Sequence, residues 1–110
     1  MSSIYKKLID GSFVPASTGV GFTATNTTVI QKLTFTNIHT SSVEVTVYLV
    51  PSGESASLLH LVTNQKEVAA EDSWNCHHAE GHVLETGDSI RYFCNTAEKL
   101  TAVSSGVELA

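Results

Sequence analysis

The sequence predicts an all-β chain, a single-domain antiparallel sandwich or jelly roll of about eight strands with almost no helix. Three observations support this fold class. Valine and threonine are abundant, short segments alternate apolar and polar residues, and glycine, proline, asparagine or aspartate separates those segments. A chain of 110 residues makes one domain with a core of its own. Within that domain we distinguish an N-terminal strand or arm, residues 1–18, from the sandwich proper, residues 19–110.

The segments follow one another as short strands. SIYKKLI and VGFTAT are two weaker candidates near the N-terminus. The next segment, TVIQKLTFTNI, is a predicted strand. Its alternation puts four residues on one face, namely Val29, Gln31, Leu33 and Phe35. SVEVTVYLV is the clearest strand, because Val43, Val45 and Val47 alternate with polar residues at a period of two. Since NIHTSS between the last two segments is short and polar, we expect them to form a hairpin.

The second half of the chain continues the pattern. PSGES is a turn, and SASLLHLV fits one helical turn capped by Ser55 or Ser57. KEVAA and SWNCH are further strands joined by a tight turn, AAEDS. The Gly87–Asp88 turn precedes a strand with Ile90, Tyr92 and Cys94 on one side. LTAVSSGVEL forms the last strand, where we expect Gly106 to introduce a bulge.

The segment WNCHHAEGH concentrates a cysteine, three histidines and a glutamate in nine residues of a chain with only 5 histidines and 2 cysteines. On a strand Cys76 and His78 would share a face, His77 would point away, and His82 would follow after Gly81. Cys76, His78 and His82 are therefore weak zinc-ligand candidates, without the spacing typical of zinc sites. The favoured interpretation is a strand leading into a polar turn, with no metal and no cofactor.

Two enzymatic interpretations are weaker still. GHVLETGDSI resembles a phrase of the metal-binding cupins, but their histidine spacing is missing, and no histidine follows His82. A Cys76–histidine nucleophile would lack the oxyanion signature that such catalysis needs. The two cysteines and Trp74 are better interpreted as core residues. His39 and His60 lie in or near connections, where we expect them only to be solvated. We therefore expect no catalytic residue and no enzymatic activity.

The charge balance limits the partners. Net charge is −5 and no basic stripe occurs, so nucleic-acid binding is not expected. No apolar run is long enough to span a membrane, and the N-terminus has no signal-peptide core. We expect synthesis in a reducing cytoplasm with both thiols free.

The order of three phrases resembles small β-sandwich structural proteins of tailed bacteriophages. These phrases are TVIQKLTFTNIHTSSVEVTVYLVPSGES, NQKEVAAEDSWNCH and GHVLETGDSIRYFCNTAEKLTAVSSGVEL, and the match covers roughly residues 20–109. The resemblance implies a virion component, above all a capsid decoration (cement) protein on the exterior of the head. Its implied partners are the major capsid protein and copies of itself in a dimer or trimer. No catalytic residue is implied.

The N-terminal segment is the first candidate for contact with the shell or with a neighbouring copy. It contains the only clustered lysines, and its proposed contact residues are Tyr5, Lys6, Lys7 and Phe13. The alternative is an ordinary first strand. The loop tips PSGES and NIHTSS are further candidates.

Two other functions stay open: a tail-associated or sugar-binding module using Trp74 or Tyr48, and, more remotely, a small metal-dependent jelly-roll enzyme.

Overall fold

The structure is a computed structural model that describes residues 2–109, and it confirms the all-β sandwich. This part of the chain contains nine strands and one short 3-10 turn, Leu58–His60. The strands are β1 (Ser3–Phe13), β2 (Gly19–Thr23), β3 (Thr28–Asn37), β4 (Val43–Val50), β5 (Leu61–Val68), β6 (Ser73–Asn75), β7 (Val83–Leu84), β8 (Ser89–Cys94) and β9 (Leu100–Leu109). No helix in the described range is long and apolar enough to cross a membrane.

The strands form two antiparallel sheets. The first sheet has the order β1-β9-β3-β6, with β7 also pairing β3, and the second has the order β2-β8-β4-β5. When β6 and β7 are counted as one interrupted strand, this is the eight-strand order of a jelly roll. Every connection except β4–β5 and β6–β7 crosses from one sheet to the other. Most strands that follow one another along the chain therefore lie in opposite sheets, with the core between the sheets.

The predicted hairpin between β3 and β4 is wrong, because the two strands belong to different sheets. Their connection crosses the end of the sandwich and is held by the buried side chain of Asn37. Its Nδ2 donates to the carbonyl oxygens of Ser41 and Val68, each at 3.0 Å, and its Oδ1 accepts from the His39 amide at 2.8 Å. Alternation identified two half-buried strands but carried no information about their partners.

A bulge in β3 changes which of its residues face the core. The register with β9 shifts between Ile30 and Lys32, so one extra residue enters the strand. Leu33 and Phe35 are buried as predicted, but before the bulge Ile30 is buried and Val29 lies on the outer face. A strict period of two therefore predicted the wrong face for the first part of the strand.

Gly106 lies opposite the bulges and is not itself the bulged residue. It pairs with Ile30 of β3 and with Lys6 of β1, and β1 has its own register shift between Lys7 and Ile9. A Cβ at Gly106 would collide with the carbonyl oxygen of Val29. The glycine thus permits the close backbone approach that both neighbouring strands make to β9.

Aromatic side chains occupy the centre of the core. The Phe35 and Tyr92 rings meet edge to face, with centroids 5.8 Å apart, and join the two sheets. The predicted inward sets on β4 and β8 are buried, namely Val43, Val45, Val47, Ile90, Tyr92 and Cys94. The Tyr92 hydroxyl lies 3.4 Å from Ser12 Oγ, so its polar end is also satisfied.

Candidate functional site

The histidine-rich segment interrupts the strand formed by β6 and β7. After β6 the Cys76 amide still donates to the Leu33 carbonyl at 2.8 Å, and the chain then turns away from β3. It rejoins β3 where the Gly81 amide donates to the Ile30 carbonyl at 2.6 Å and Ile30 donates to His82 at 3.0 Å. The excursion between these contacts is the turn that the sequence indicated.

Glu80 supplies the hydrogen bond that the interrupted strand leaves out. The amides of Ala79 and Glu80 both donate to the Cys76 carbonyl, at 3.1 and 3.3 Å. That carbonyl would otherwise accept from Leu33, whose amide donates instead to Glu80 Oε2 at 3.3 Å. The other carboxylate oxygen lies 3.6 Å from His77 Nδ1. Glu80 is therefore a structural residue of the strand edge.

Cys76 is buried and its thiol is part of a small polar cluster. Its Sγ lies 3.5 Å from Thr63 Oγ1, which in turn lies 3.1 Å from His78 Nδ1. Burial raises the pKa of Cys76 above 9.0, with a smaller increase from the Glu80 carboxylate, while the Thr63 hydrogen bond lowers it. The thiol is thus protonated at neutral pH and is a weak nucleophile.

The weak metal-ligand candidates lie in different settings. Cys76 is buried, whereas His78 and His82 are exposed; His78 approaches Cys76 through Thr63, and His82 lies where the chain rejoins β3. Within residues 2–109 no group of three or more histidine, cysteine, aspartate or glutamate side chains is arranged to hold a metal ion.

Cys94 is also buried; its thiol donates to the carbonyls of Val14 and Thr96, and burial raises its pKa. Neither cysteine forms a disulfide.

The Trp74 ring belongs mainly to the core. It stacks on Phe35 with centroids 6.2 Å apart, and Lys66 Nζ lies 5.5 Å from its ring centroid. Trp74 therefore closes the side of the sandwich between β5 and β6. Tyr48, the other aromatic considered for sugar binding, stacks on Phe93 at 6.4 Å on the outer face of the second sheet.

The N-terminal contact candidates do not all share one surface. Tyr5, Lys7 and Phe13 lie on the outer face of the first sheet, and 79% of Tyr5 is exposed. Lys6 points to the opposite side, where its Nζ forms an ion pair with Glu108 at 3.3 Å. The whole of β1 pairs along β9, so this segment is the edge strand of a sheet. Beside it is an open hollow of about 430 Å³ lined by Gly11, Ser12, Phe13, Thr101 and Val103.

Two adjacent leucines form an exposed apolar tip that the sequence analysis missed. Leu58 and Leu59 are 82% and 92% exposed in the 3-10 turn before β5. The adjacent leucines in SASLLHLV could have indicated this tip, because a single helical turn cannot bury two consecutive leucines on one face.

The connection that carries these leucines is held by side chains. Ser57 Oγ accepts from the Leu59 amide at 3.3 Å, which is the predicted cap. His60 Nε2 lies 3.2 Å from Glu54 Oε1, and its Nδ1 lies 3.4 Å from Ser57 Oγ. His60, which we had expected only to be solvated, thus fastens the connection.

No family model, curated protein or solved structure matches this chain.

Proposed function

We propose that the chain is a bacteriophage virion structural protein, a capsid decoration (cement) protein that binds and stabilises the assembled head shell. The observation that carries the proposal is the Leu58–Leu59 tip, an ordered apolar surface on a folded domain. It adjoins PSGES, one of the loop tips that the sequence favoured for contact. Exposed apolar groups gathered in one place are typical of a surface that binds another macromolecule.

The energetics favour this tip as a contact. Burying a leucine side chain yields roughly 1.5–3 kcal/mol, so two leucines supply a useful part of a binding free energy. Because Ser57 and the His60–Glu54 pair already hold the turn, binding orders few additional groups. A protein that binds only the assembled shell stabilises it by mass action.

We propose the outer face of β1 as the second contact surface, in keeping with the contact predicted for the N-terminal segment. Tyr5 and Phe13 supply exposed aromatic rings and Lys7 supplies a charge. This face is available to the shell or to a neighbouring copy in a dimer or trimer.

The experiment compares add-back to particles. Virus particles are produced without the gene for this chain, and purified protein is then added and counted on isolated heads. We expect wild-type protein to occupy heads and to raise their resistance to heating. Leu58→Ser/Leu59→Ser should lose most of the occupancy. Val20→Ser is the matched control and should leave occupancy unchanged, because Val20 is 57% exposed on β2, outside both proposed contact surfaces. Absence of wild-type protein from heads would overturn the proposal.

A tail-associated or sugar-binding module is the second candidate, favoured by the stacked Tyr48 and Phe93 rings on an outer face. Aromatic rings bind the apolar faces of sugars. Immunogold labelling of whole particles distinguishes the two locations, with label on the tail supporting this alternative. Binding to a glycan array that Tyr48→Ser abolishes would then identify it as a receptor-binding surface.

A further inference from the structure

The outer face of the first sheet has an apolar row next to a cationic row. The apolar row crosses four strands through direct cross-strand partners, namely Tyr5, Val107, Val29 and Val83. The next row toward the β3–β4 end contains Lys7, Ser105 and Lys32. Lys7 meets Asp10 in an exposed ion pair, and among the described residues Lys32 has no carboxylate within 4.0 Å. Because Asp10 pairs with Lys7, these rows carry a net positive charge through Lys32, on a chain of net charge −5.

The outer face of the second sheet carries the opposite charge. Glu44 and Glu67 are direct cross-strand partners on β4 and β5. Like charges in that position repel each other, and no cation of the described residues forms an ion pair with either carboxylate. The stacked rings of Tyr48 and Phe93 lie on the same face, and so does Arg91, the cross-strand partner of Tyr48. The two glutamates and this one arginine leave the face with a net negative charge.

The two faces have the same order of rows. From the end of the sandwich that holds the β4–β5 connection, the first face presents its apolar row and then Lys7 and Lys32. From the same end, the second face presents Tyr48 and then Glu44. Two copies stacked without reversing their ends therefore bring the Tyr48 ring, with Arg91 beside it, against the apolar row, and the lysines toward the glutamates.

We infer that copies of this chain associate with each other by stacking the first-sheet face of one molecule on the second-sheet face of the next. The contact is heterologous, so each molecule keeps one face of each kind free for a further copy. The broad face of the molecule, with extents of 46 and 26 Å, is larger than the roughly 800 Å² per partner that a stable interface buries. This inference concerns copies of the chain alone and does not depend on binding to a shell.

The charge-swap experiment uses the purified full chain. Sedimentation velocity is measured over a range of protein concentrations at low salt and at about 1 M salt, where the screening length is about 3 Å. We expect wild-type association at low salt and its loss at high salt. Lys32→Glu alone and Glu67→Lys alone should each raise the concentration for half-association about tenfold or more.

The double variant Lys32→Glu/Glu67→Lys decides the arrangement. In a heterologous stack it exchanges the two charges of the Lys32–Glu67 contact and keeps them opposite, so association is restored toward the wild-type value. Lys99→Glu, in the β8–β9 connection, is the charge-matched control and should leave association unchanged. Thermal unfolding of each variant shows that the domain is still folded.

Three results would overturn the inference. One is a wild-type chain that stays monomeric at low salt at every concentration. Another is single variants that associate like wild type. The third is a double variant that associates no better than the single ones, since that result shows that Lys32 and Glu67 do not face each other across the contact.

Discussion

The Leu33 amide donates a hydrogen bond to the carboxylate of Glu80 at 3.3 Å, at the place where neither β6 nor β7 pairs with β3. A side chain thus takes the position of a backbone carbonyl in the ladder. This relationship explains why the most chemically suggestive segment of the chain, with its cysteine and histidines, folds as a strand interruption.

Replacing Glu80 by alanine should destabilise the domain by about 1–3 kcal/mol, because the Leu33 amide would lose its acceptor. Glu80→Gln keeps an acceptor oxygen and should cost less. Urea unfolding measures both free energies. Equal stability of the wild type and the two variants would show that the hydrogen bond contributes nothing.

Asn37→Ala should cost about 3 kcal/mol or more, because it leaves the carbonyls of Ser41 and Val68 and the His39 amide without their partner. Asn95→Ala is the matched control: its Oδ1 accepts only exposed hydrogen bonds, from the Glu44 amide at 3.1 Å and from Thr96 Oγ1 at 3.4 Å. Chemical denaturation should rank Asn37 well above Asn95, and the reverse ranking would contradict the role given to Asn37.

Gly106→Ala should destabilise the domain strongly, because the new Cβ meets the backbone oxygen of Val29, which cannot move aside as a flexible side chain would. Gly53→Ala is the comparison. Gly53 has a φ of +81° and open space around it, so only backbone strain of roughly 1 kcal/mol is expected. Melting temperatures test this order, and a smaller effect at Gly106 would disagree with the close strand approach.

Stability should fall as pH rises above about 9, because both cysteines are more easily ionised in the unfolded chain. Burial raises the pKa of Cys76 and Cys94 above 9.0, so folding favours the protonated thiols. Their contribution is complete below the unfolded pKa and is lost as pH climbs through the folded one.

Urea unfolding from pH 7 to pH 10 measures this fall, and Cys76→Ala/Cys94→Ala should reduce it. Alkylation at neutral pH should be slow in the folded protein and fast in urea. Fast alkylation of folded protein would show an accessible thiolate.

The purified chain should contain less than about 0.1 metal ion per molecule, and a chelator should leave its melting temperature unchanged. The reason is that the Cys76 thiol is buried and placed beside Thr63. Elemental analysis makes the measurement. A stoichiometric zinc ion lost on His78→Ala would contradict this prediction and favour the metal-dependent alternative.

The surfaces were only partly predictable. Clustered lysines and aromatics pointed to β1, yet its pairing with β9 turns Lys6 away from Tyr5 and Lys7. The cationic row needs Lys32, which comes from a strand that is distant in sequence. Contacts between distant strands depend on sheet order, and a single sequence does not carry that order in its local pattern.

The sequence by itself determined the all-β class, the approximate positions of most strands, the single helical turn and the inward faces of β4 and β8. These features follow from side-chain alternation and turn chemistry, which are local. Only the tertiary structure decided that β3 and β4 belong to different sheets, that a bulge opposite Gly106 selects Ile30 over Val29, and that Glu80 completes the β3 edge. Those outcomes depend on which strands lie side by side. Backbone hydrogen bonds form, and backbones approach closely, between segments that are far apart in the chain.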